Sequence, residues 1–259
     1  MSRFVNLELG GESEDQPQQS QRTQVKDETY YLGEARVAFE NGDFELGLRH
    51  YSKVLEFNPQ NTTAWTSQVR MLVELGEYRE AKLWADKALE KFPHEPELLA
   101  AKAVALARTG DLQGALAFSD ASIEERGDTP YIWLARGDVL LARREHRADY
   151  CFEKAVLLAP RDWFIAWLAG RIRLFHRQFA LALKLIQQAV ELNTAHFLLW
   201  LELGRCQLAL GLTGPARVSF TQALQLNPQC SEADLSLVKL DHAGFGLRLR
   251  GWWRGLFNK

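Results

Sequence analysis

Small residues recur along the chain with a period of 34 residues. A first series stands at Gly47, Ala81, Ala115, Ala148, Ala182 and Ala216, with spacings of 34, 34, 33, 34 and 34. A second series follows seven residues later, at Val54, Ala88, Ser122, Ala155, Ala189 and Ala223. Residues seven apart lie on one face of a helix, where small side chains let a neighbouring helix approach closely. The pattern therefore predicts six copies of one helical unit.

Turn and stop residues divide each unit in two. The second series is followed by a helix breaker or a polar residue at Pro59, Pro93, Gly127, Pro160, Thr194 and Pro228. Glycine turns precede the first series in four units, at Gly42, Gly76, Gly110 and Gly211. Proline lacks the N–H that would continue a helix, and glycine permits a tight turn. Each unit is thus predicted to be a helical hairpin, and because one hairpin cannot bury its apolar face alone, the units must stack.

These residues resemble the tetratricopeptide repeat, a 34-residue helix–turn–helix family. The resemblance is clear in the sixth unit, at Trp200, Leu203, Gly204, Ala216 and Phe220. It implies an all-α fold, a right-handed superhelical solenoid of stacked repeats. The expected units are 28–61, 62–95, 96–129, 130–162, 163–196 and 197–230, followed by a capping helix over 231–243.

The fourth and fifth units depart from the family pattern. The single spacing of 33 falls in the fourth unit, where the run Arg143-Arg144-Glu145-His146 replaces the glycine turn. The fifth unit has His176-Arg177-Gln178 at the equivalent place. Because one residue is missing in the fourth unit, we expect a local irregularity of the superhelix there.

The resemblance also implies a concave groove, lined by the first helices of the units and used in this family to bind extended or helical peptides. The position five residues beyond the opening aromatic is expected to face this groove. It is occupied by Arg36, Arg70, Val104, Asp138, Arg171 and Arg205. Four arginines in six units form a ladder, and arginine pairs well with carboxylates.

Apolar residues flank this position in the last three units. They form the stripes Tyr131, Leu134, Asp138; Phe164, Trp167, Arg171, Leu174; and Leu198, Leu201, Arg205, with helical spacing of three or four. Such a surface suits a peptide with hydrophobic anchors and an acidic group. The alternative interpretation is that these side chains pack inside a tight superhelix, with the arginines paired to neighbouring acids such as Asp138 and Glu202.

Charge is distributed unevenly, although the 259 residues carry a net charge of only −2. The 216 residues between the two ends carry a net charge of −4, so the folded body is not expected to bind nucleic acid. Residues 1–27 are polar and acidic and are predicted to be a disordered arm.

The basic aromatic tail, 244–259, has four bases and no acid. Its candidate interaction residues are Arg248, Arg250, Trp252, Trp253, Arg254 and Phe257. They suit either an anionic membrane surface or docking on a partner or on the chain itself.

Residues that carry chemistry form no constellation in the sequence. The six histidines are scattered, no phosphate-binding or nucleophile motif occurs, and three cysteines make no complete disulfide set. We therefore expect no enzyme activity, cofactor or metal, and a cytoplasmic location. The main hypothesis is an adaptor that binds a segment of another protein in the concave groove. The alternative is a scaffold, self-association being possible, that the tail recruits to a membrane or a partner.

Overall fold

The computed structural model describes residues 26–242, which are helical with tight turns and contain no strand. The bounds of the first twelve helices are α1 (Glu28–Glu40), α2 (Phe44–Phe57), α3 (Thr62–Glu74), α4 (Tyr78–Lys91), α5 (Pro96–Thr109), α6 (Leu112–Glu124), α7 (Pro130–Ala142), α8 (Ala148–Leu158), α9 (Trp163–Phe175), α10 (Phe179–Leu192), α11 (Phe197–Ala209) and α12 (Thr213–Leu226). A further helix, α13, occupies residues 231–242. Most of the predicted N-terminal arm and the whole basic aromatic tail lie outside the described residues.

The helices pair in tandem as stacked hairpins, which confirms the predicted all-α solenoid. Each odd-numbered helix packs against the next even-numbered one, and the odd-numbered helices α3, α5, α7 and α9 also pack against one another in succession. The small-residue series explains this packing, because Ala81, Ala182 and Ala216 are fully buried between helices. None of the helices in the described part of the chain has the length and apolar content needed to span a membrane.

Close helix approach depends on glycine in the inner helices. A Cβ atom added to Gly204 would lie 2.6 Å from the ring of Phe220, and one added to Gly170 would lie 2.5 Å from Ile186. Such distances are far inside van der Waals contact, so a larger residue would push the two helices of the hairpin apart. The apolar partner in the second helix thus fills the space that the glycine leaves.

The turns inside the hairpins use a left-handed residue, and in two units that residue is arginine. Gly42, Gly76, Gly110 and Gly211 have positive φ in four units, whereas Arg144 (φ 61°) and Arg177 (φ 58°) take the same role in the fourth and fifth. A non-glycine residue in this region carries a conformational cost of about 1 kcal/mol. The missing glycines therefore leave the turn in place and make it more strained.

The missing residue of the fourth unit shortens its second helix. Helix α8 has 11 residues, whereas α10 has 14. An open apolar cleft of about 350 Å³ lies beside it, with walls from α8 and α10. The shortening falls at the start of α8, whereas the cleft lies along its second half.

Candidate functional site

The superhelix closes on itself, because the first repeat contacts the fifth and sixth. The ring of Phe39 in α1 meets the ring of Phe164 in α9 edge to face, with centroids 4.9 Å apart. In the turn after α1, a Cβ atom added to Gly42 would lie 3.1 Å from Leu198 of α11. We call this contact region the seam. It brings together residues more than 120 positions apart in the chain.

Arg70 fills the space between the first and fourth units. Its guanidinium lies 4.8 Å from the ring centroid of Phe39 and 3.9 Å from that of Tyr131. Both contacts are cation–π interactions, which gain strength where water is excluded. Burial also raises the pKa of the Tyr131 phenol, against the lowering effect of Arg70. The guanidinium of Arg70 therefore packs between two aromatic side chains of the same chain.

The middle of the concave surface has little free space left. A cavity of about 40 Å³ remains there, between residues such as Phe39, Arg70, Val104 and Leu134. This volume accommodates a few water molecules at most. In the conformation described, a peptide has no room in the middle of the groove.

A central network of three charged or polar side chains lies beside this cavity. Asp138 accepts a hydrogen bond from Arg108 Nη2 at 2.6 Å and pairs with His176 Nε2 at 2.7 Å. The side chain of Asp138 is 3% exposed and that of Arg108 is 8% exposed. The central network links the third, fourth and fifth units, and its carboxylate is satisfied from both sides.

A second group of charges, the seam network, joins the second unit to the sixth. Arg171 Nη2 donates to Glu74 at 2.6 Å, and Arg171 Nη1 donates to Glu202 at 2.7 Å. Arg205 donates to the same Glu202 at 2.9 Å and also to Glu232 at the start of α13. Burial by itself lowers the pKa of Arg171, but the two glutamates outweigh it and raise the pKa. The pKa of Arg205 is raised in the same way by Glu202 and Glu232.

The seam network borders an open depression of about 380 Å³, which we call the seam bowl. Its apolar walls are Phe44 from the first unit and Phe197, Leu198 and Leu201 from α11. Arg171, Arg205 and the residues 229–232 that lead into α13 complete the lining. This volume lies in the range of protein ligand pockets. The concave surface therefore has a closed middle and an open end.

Groups that could hold a metal or act as a nucleophile are not assembled in the part of the chain that the structure describes. No cluster of three potential metal ligands occurs within residues 26–242. The cysteines Cys151, Cys206 and Cys230 are buried and free. Burial raises the pKa of Cys206 to about 12, so this thiol is protonated at neutral pH.

Comparison with protein families identifies the fold family. Profiles described as tetratricopeptide repeat match residues 11–162 and residues 168–230. The chain belongs to the tetratricopeptide repeat family. The tetratricopeptide repeat fold is typical of protein–protein interaction modules. Among curated protein sequences, none matches this chain.

Solved tetratricopeptide repeat structures resemble the chain at low sequence identity. A chain of the APC/C hetero-tetramer Cut9–Hcn1 has a TM-score of 0.52 and 16% identity, covering 83% of this chain and 43% of that one. A tetratricopeptide repeat protein from Parabacteroides merdae has a TM-score of 0.51 and 18% identity, with 85% and 86% covered. The human IFIT1 dimer with m7Gppp-AAAA has a TM-score of 0.51 and 17% identity, with 89% and 60% covered. The chain thus spans less than half of the first of these, and the likeness shows the fold alone.

The sequence-predicted groove residues divide into three groups in the tetratricopeptide repeat fold. Buried members are Leu134, Asp138, Trp167, Leu198 and Leu201. Partly buried members are Tyr131, Phe164, Leu174, Arg70, Arg171 and Arg205. Arg36 alone is exposed, and it pairs with Glu40 of its own helix at 2.9 Å. Arg171, Leu198, Leu201 and Arg205 meet at the seam bowl. The six predicted tail residues lie outside the described residues.

Three residues important to these networks were not predicted from the sequence, namely Glu74, Arg108 and His176. A signal for the first two is present in the sequence. Glu74 and Arg108 stand four residues after Arg70 and Val104, so they continue the groove-facing stripe by one helical turn. Extending the stripe would have found them. His176 lies beyond its helix, and its position depends on how the turn after α9 folds.

Proposed function

We propose that this chain is a non-enzymatic interaction module that binds a segment of another protein in the seam bowl. The observation that carries the proposal is the contrast in free volume along the concave surface, about 380 Å³ in the seam bowl against about 40 Å³ in the middle. Four of the residues predicted from the sequence as groove residues line the bowl. An apolar depression bordered by polar groups is the usual form of such a binding site.

The proposed partner segment carries an apolar anchor and a basic group. Phe197 and Phe44 offer aromatic walls for the anchor. The sequence alone suggested an acidic group held by Arg171 and Arg205. However, Glu74, Glu202 and Glu232 already pair with these two arginines, and of the three carboxylates only Glu232 lines the bowl. Because the arginines are already paired and the Glu232 side chain is 52% exposed, the carboxylate of Glu232 is the group that a partner can reach, and it favours a cation.

The proposed setting is a reducing cytoplasm. Three free, buried cysteines in the described residues support it, because disulfides are rare in such compartments. The seam network also holds the second repeat against the fifth and sixth, and a rigid frame lowers the entropy cost of binding. The chain would then present a preformed bowl to its partner.

Site-specific photo-crosslinking tests the location of the site. Phe197 is replaced by p-benzoylphenylalanine, whose bulk the half-buried position can accept, and the protein is irradiated in cells. As a matched control, the same group replaces Leu157, which is 76% exposed on the distant helix α8. We expect a defined adduct with another protein from position 197 and none from position 157. Adducts from position 157 alone would overturn the proposed site.

Charge reversal tests the chemistry of the partner once its segment is identified. Glu232→Lys should weaken binding by about tenfold, equivalent to about 1.4 kcal/mol, because it adds a positive charge beside the proposed cation. Glu90→Lys in α4 is the matched control, an exposed glutamate on an outer helix of the second unit. Tighter binding by Glu232→Lys would instead support the acidic group that the sequence suggested.

A further inference from the structure

The seam bowl is continuous with the helix that leads to the basic aromatic tail. Residues 229–232 form part of the lining of the bowl, and α13 begins there. The twelve residues of α13 rise by about 17 Å, so position 242 lies about that far from the bowl. The chain continues for 17 residues beyond it. In extended form 17 residues span at most about 60 Å, which is ample for a return to the bowl.

An exposed apolar stripe on α13 runs along the path of such a return. Leu235 is 57% exposed and Val238 is 43% exposed, and both are large apolar residues. They follow Glu232 at successive intervals of three residues, so all three lie on one side of the helix. The stripe therefore leads from an exposed carboxylate at the bowl, over two exposed apolar side chains, towards the end of α13.

The composition of the tail complements both the stripe and the bowl. Residues 244–259 carry four bases and no acid, together with two tryptophans, two phenylalanines and three leucines. In the bowl, Arg171 and Arg205 are already paired with carboxylates, and Glu232 offers a carboxylate that is 52% exposed. Tryptophan and arginine are also the side chains that contribute most at buried interface positions. Charge and apolar character thus match in the same place.

We propose that residues 244–259 of the same chain dock along this stripe and place Trp252 and Trp253 in the seam bowl. This inference rests on the proposed function, because it makes the tail the resident ligand of the site that a partner would use. A partner segment with an apolar anchor and a basic group then binds by displacing a tail of similar chemistry. A partner segment must therefore bind the bowl more strongly than the tail does.

The test uses the full-length chain with p-benzoylphenylalanine in place of Trp253, irradiated alone at low protein concentration. We expect an intramolecular cross-link that mass spectrometry maps to residues 197–205 or 229–232. Glu232→Lys should reduce its yield at least tenfold, and the control Glu90→Lys should leave it unchanged. Cross-links to other surfaces of the chain, or a yield equal in both variants, would overturn the inference.

Two further experiments distinguish docking in the bowl from binding of the tail to a second copy or to a membrane. Cross-links between two copies, detected by mixing isotopically light and heavy protein, would show a partner copy and overturn docking within one chain. In the second experiment, anionic vesicles of phosphatidylserine and phosphatidylcholine are compared with neutral vesicles at equal total lipid. Loss of the intramolecular cross-link with the anionic vesicles alone would show that the tail prefers a membrane to the bowl. That result would overturn the proposed docking of the tail in the bowl. Adducts from position 197 with another protein are independent of these results, so the inference and the proposed function fail separately.

Discussion

The central network and the seam network both pair arginine with carboxylates, but they differ in reach and exposure. Asp138 in the central network is bound from both sides by residues of neighbouring units, at sequence separations of 30 and 38. Arg171 in the seam network binds Glu74 across a separation of 97. Arg205 and Glu232, at the edge of the seam network, have side chains that are 36% and 52% exposed.

This difference assigns distinct structural roles to the two networks. A buried carboxylate with two partners holds adjacent repeats at a fixed angle, since any change of angle would leave a charge without a partner in a region of low dielectric. The seam network instead links repeats that are not neighbours in the chain. It closes the superhelix and, at its exposed edge, retains polar groups that another segment can reach.

Removing the carboxylate of the central network should have the largest effect on stability. We expect Asp138→Ala to lower the free energy of unfolding by about 3–5 kcal/mol, because the buried Arg108 guanidinium loses its acceptor. Denaturant unfolding followed by circular dichroism measures the loss. A loss below about 1 kcal/mol would contradict the role of Asp138 as the shared acceptor.

An exposed ion pair provides the matched control for that measurement. Glu45 and Arg49 of α2 lie 3.8 Å apart, with side chains 71% and 76% exposed. Glu45→Ala removes a carboxylate of a pair that solvent screens, so the expected change is at most about 0.5 kcal/mol. The contrast between the two substitutions measures the effect of burial.

Breaking the seam network should cost less stability but change the shape of the molecule. We expect Arg171→Met to lower the free energy of unfolding by about 2 kcal/mol, since Glu202 keeps Arg205 as a partner and Glu74 has access to water. Small-angle X-ray scattering should show a larger radius of gyration, because the second repeat loses its link to the fifth. An unchanged radius of gyration would mean that Phe39 and Phe164 hold the seam without the ion pair.

The fold was predictable from the sequence because its determinants are local and repeated. The small-residue series and the turn glycines report contacts inside one hairpin or between adjacent hairpins, and six copies reinforce the same pattern. The turns at Arg144 and Arg177 lack the glycine signal, yet they adopt the same left-handed conformation. There the packing of the flanking helices overrides the local preference of the residue.

The closure of the concave surface was not predictable from the same pattern. The contact between Phe39 and Phe164 depends on the twist accumulated over four repeats, and a small change in rotation per repeat would separate the two rings. The sequence placed Arg171 and Arg205 on the inner face and offered Glu202 as a partner, and the structure has both arginines bound to it. Glu74, which comes from the second repeat, required the superhelix itself.

The smallest predicted effect concerns His196, which directly precedes α11. Its ring centroid lies 4.7 Å from that of Trp163, with the two ring planes tilted by 34°. Burial lowers the pKa of His196, although Glu40 of α1 opposes this shift. Because the folded-state pKa lies below the unfolded value of about 6.5, the unfolded chain takes up a proton first as the pH falls. Stability is therefore retained above about pH 6.5 and declines as the pH falls through the folded-state pKa.

Denaturant unfolding at pH 7.5 and pH 5 measures this effect. The free energy of unfolding should fall more for the wild type than for His196→Gln, by less than about 1 kcal/mol because the ring is partly open to solvent. Equal losses in the two proteins would show that the seam tolerates a charged imidazole, and would assign the acid sensitivity of the fold to other groups.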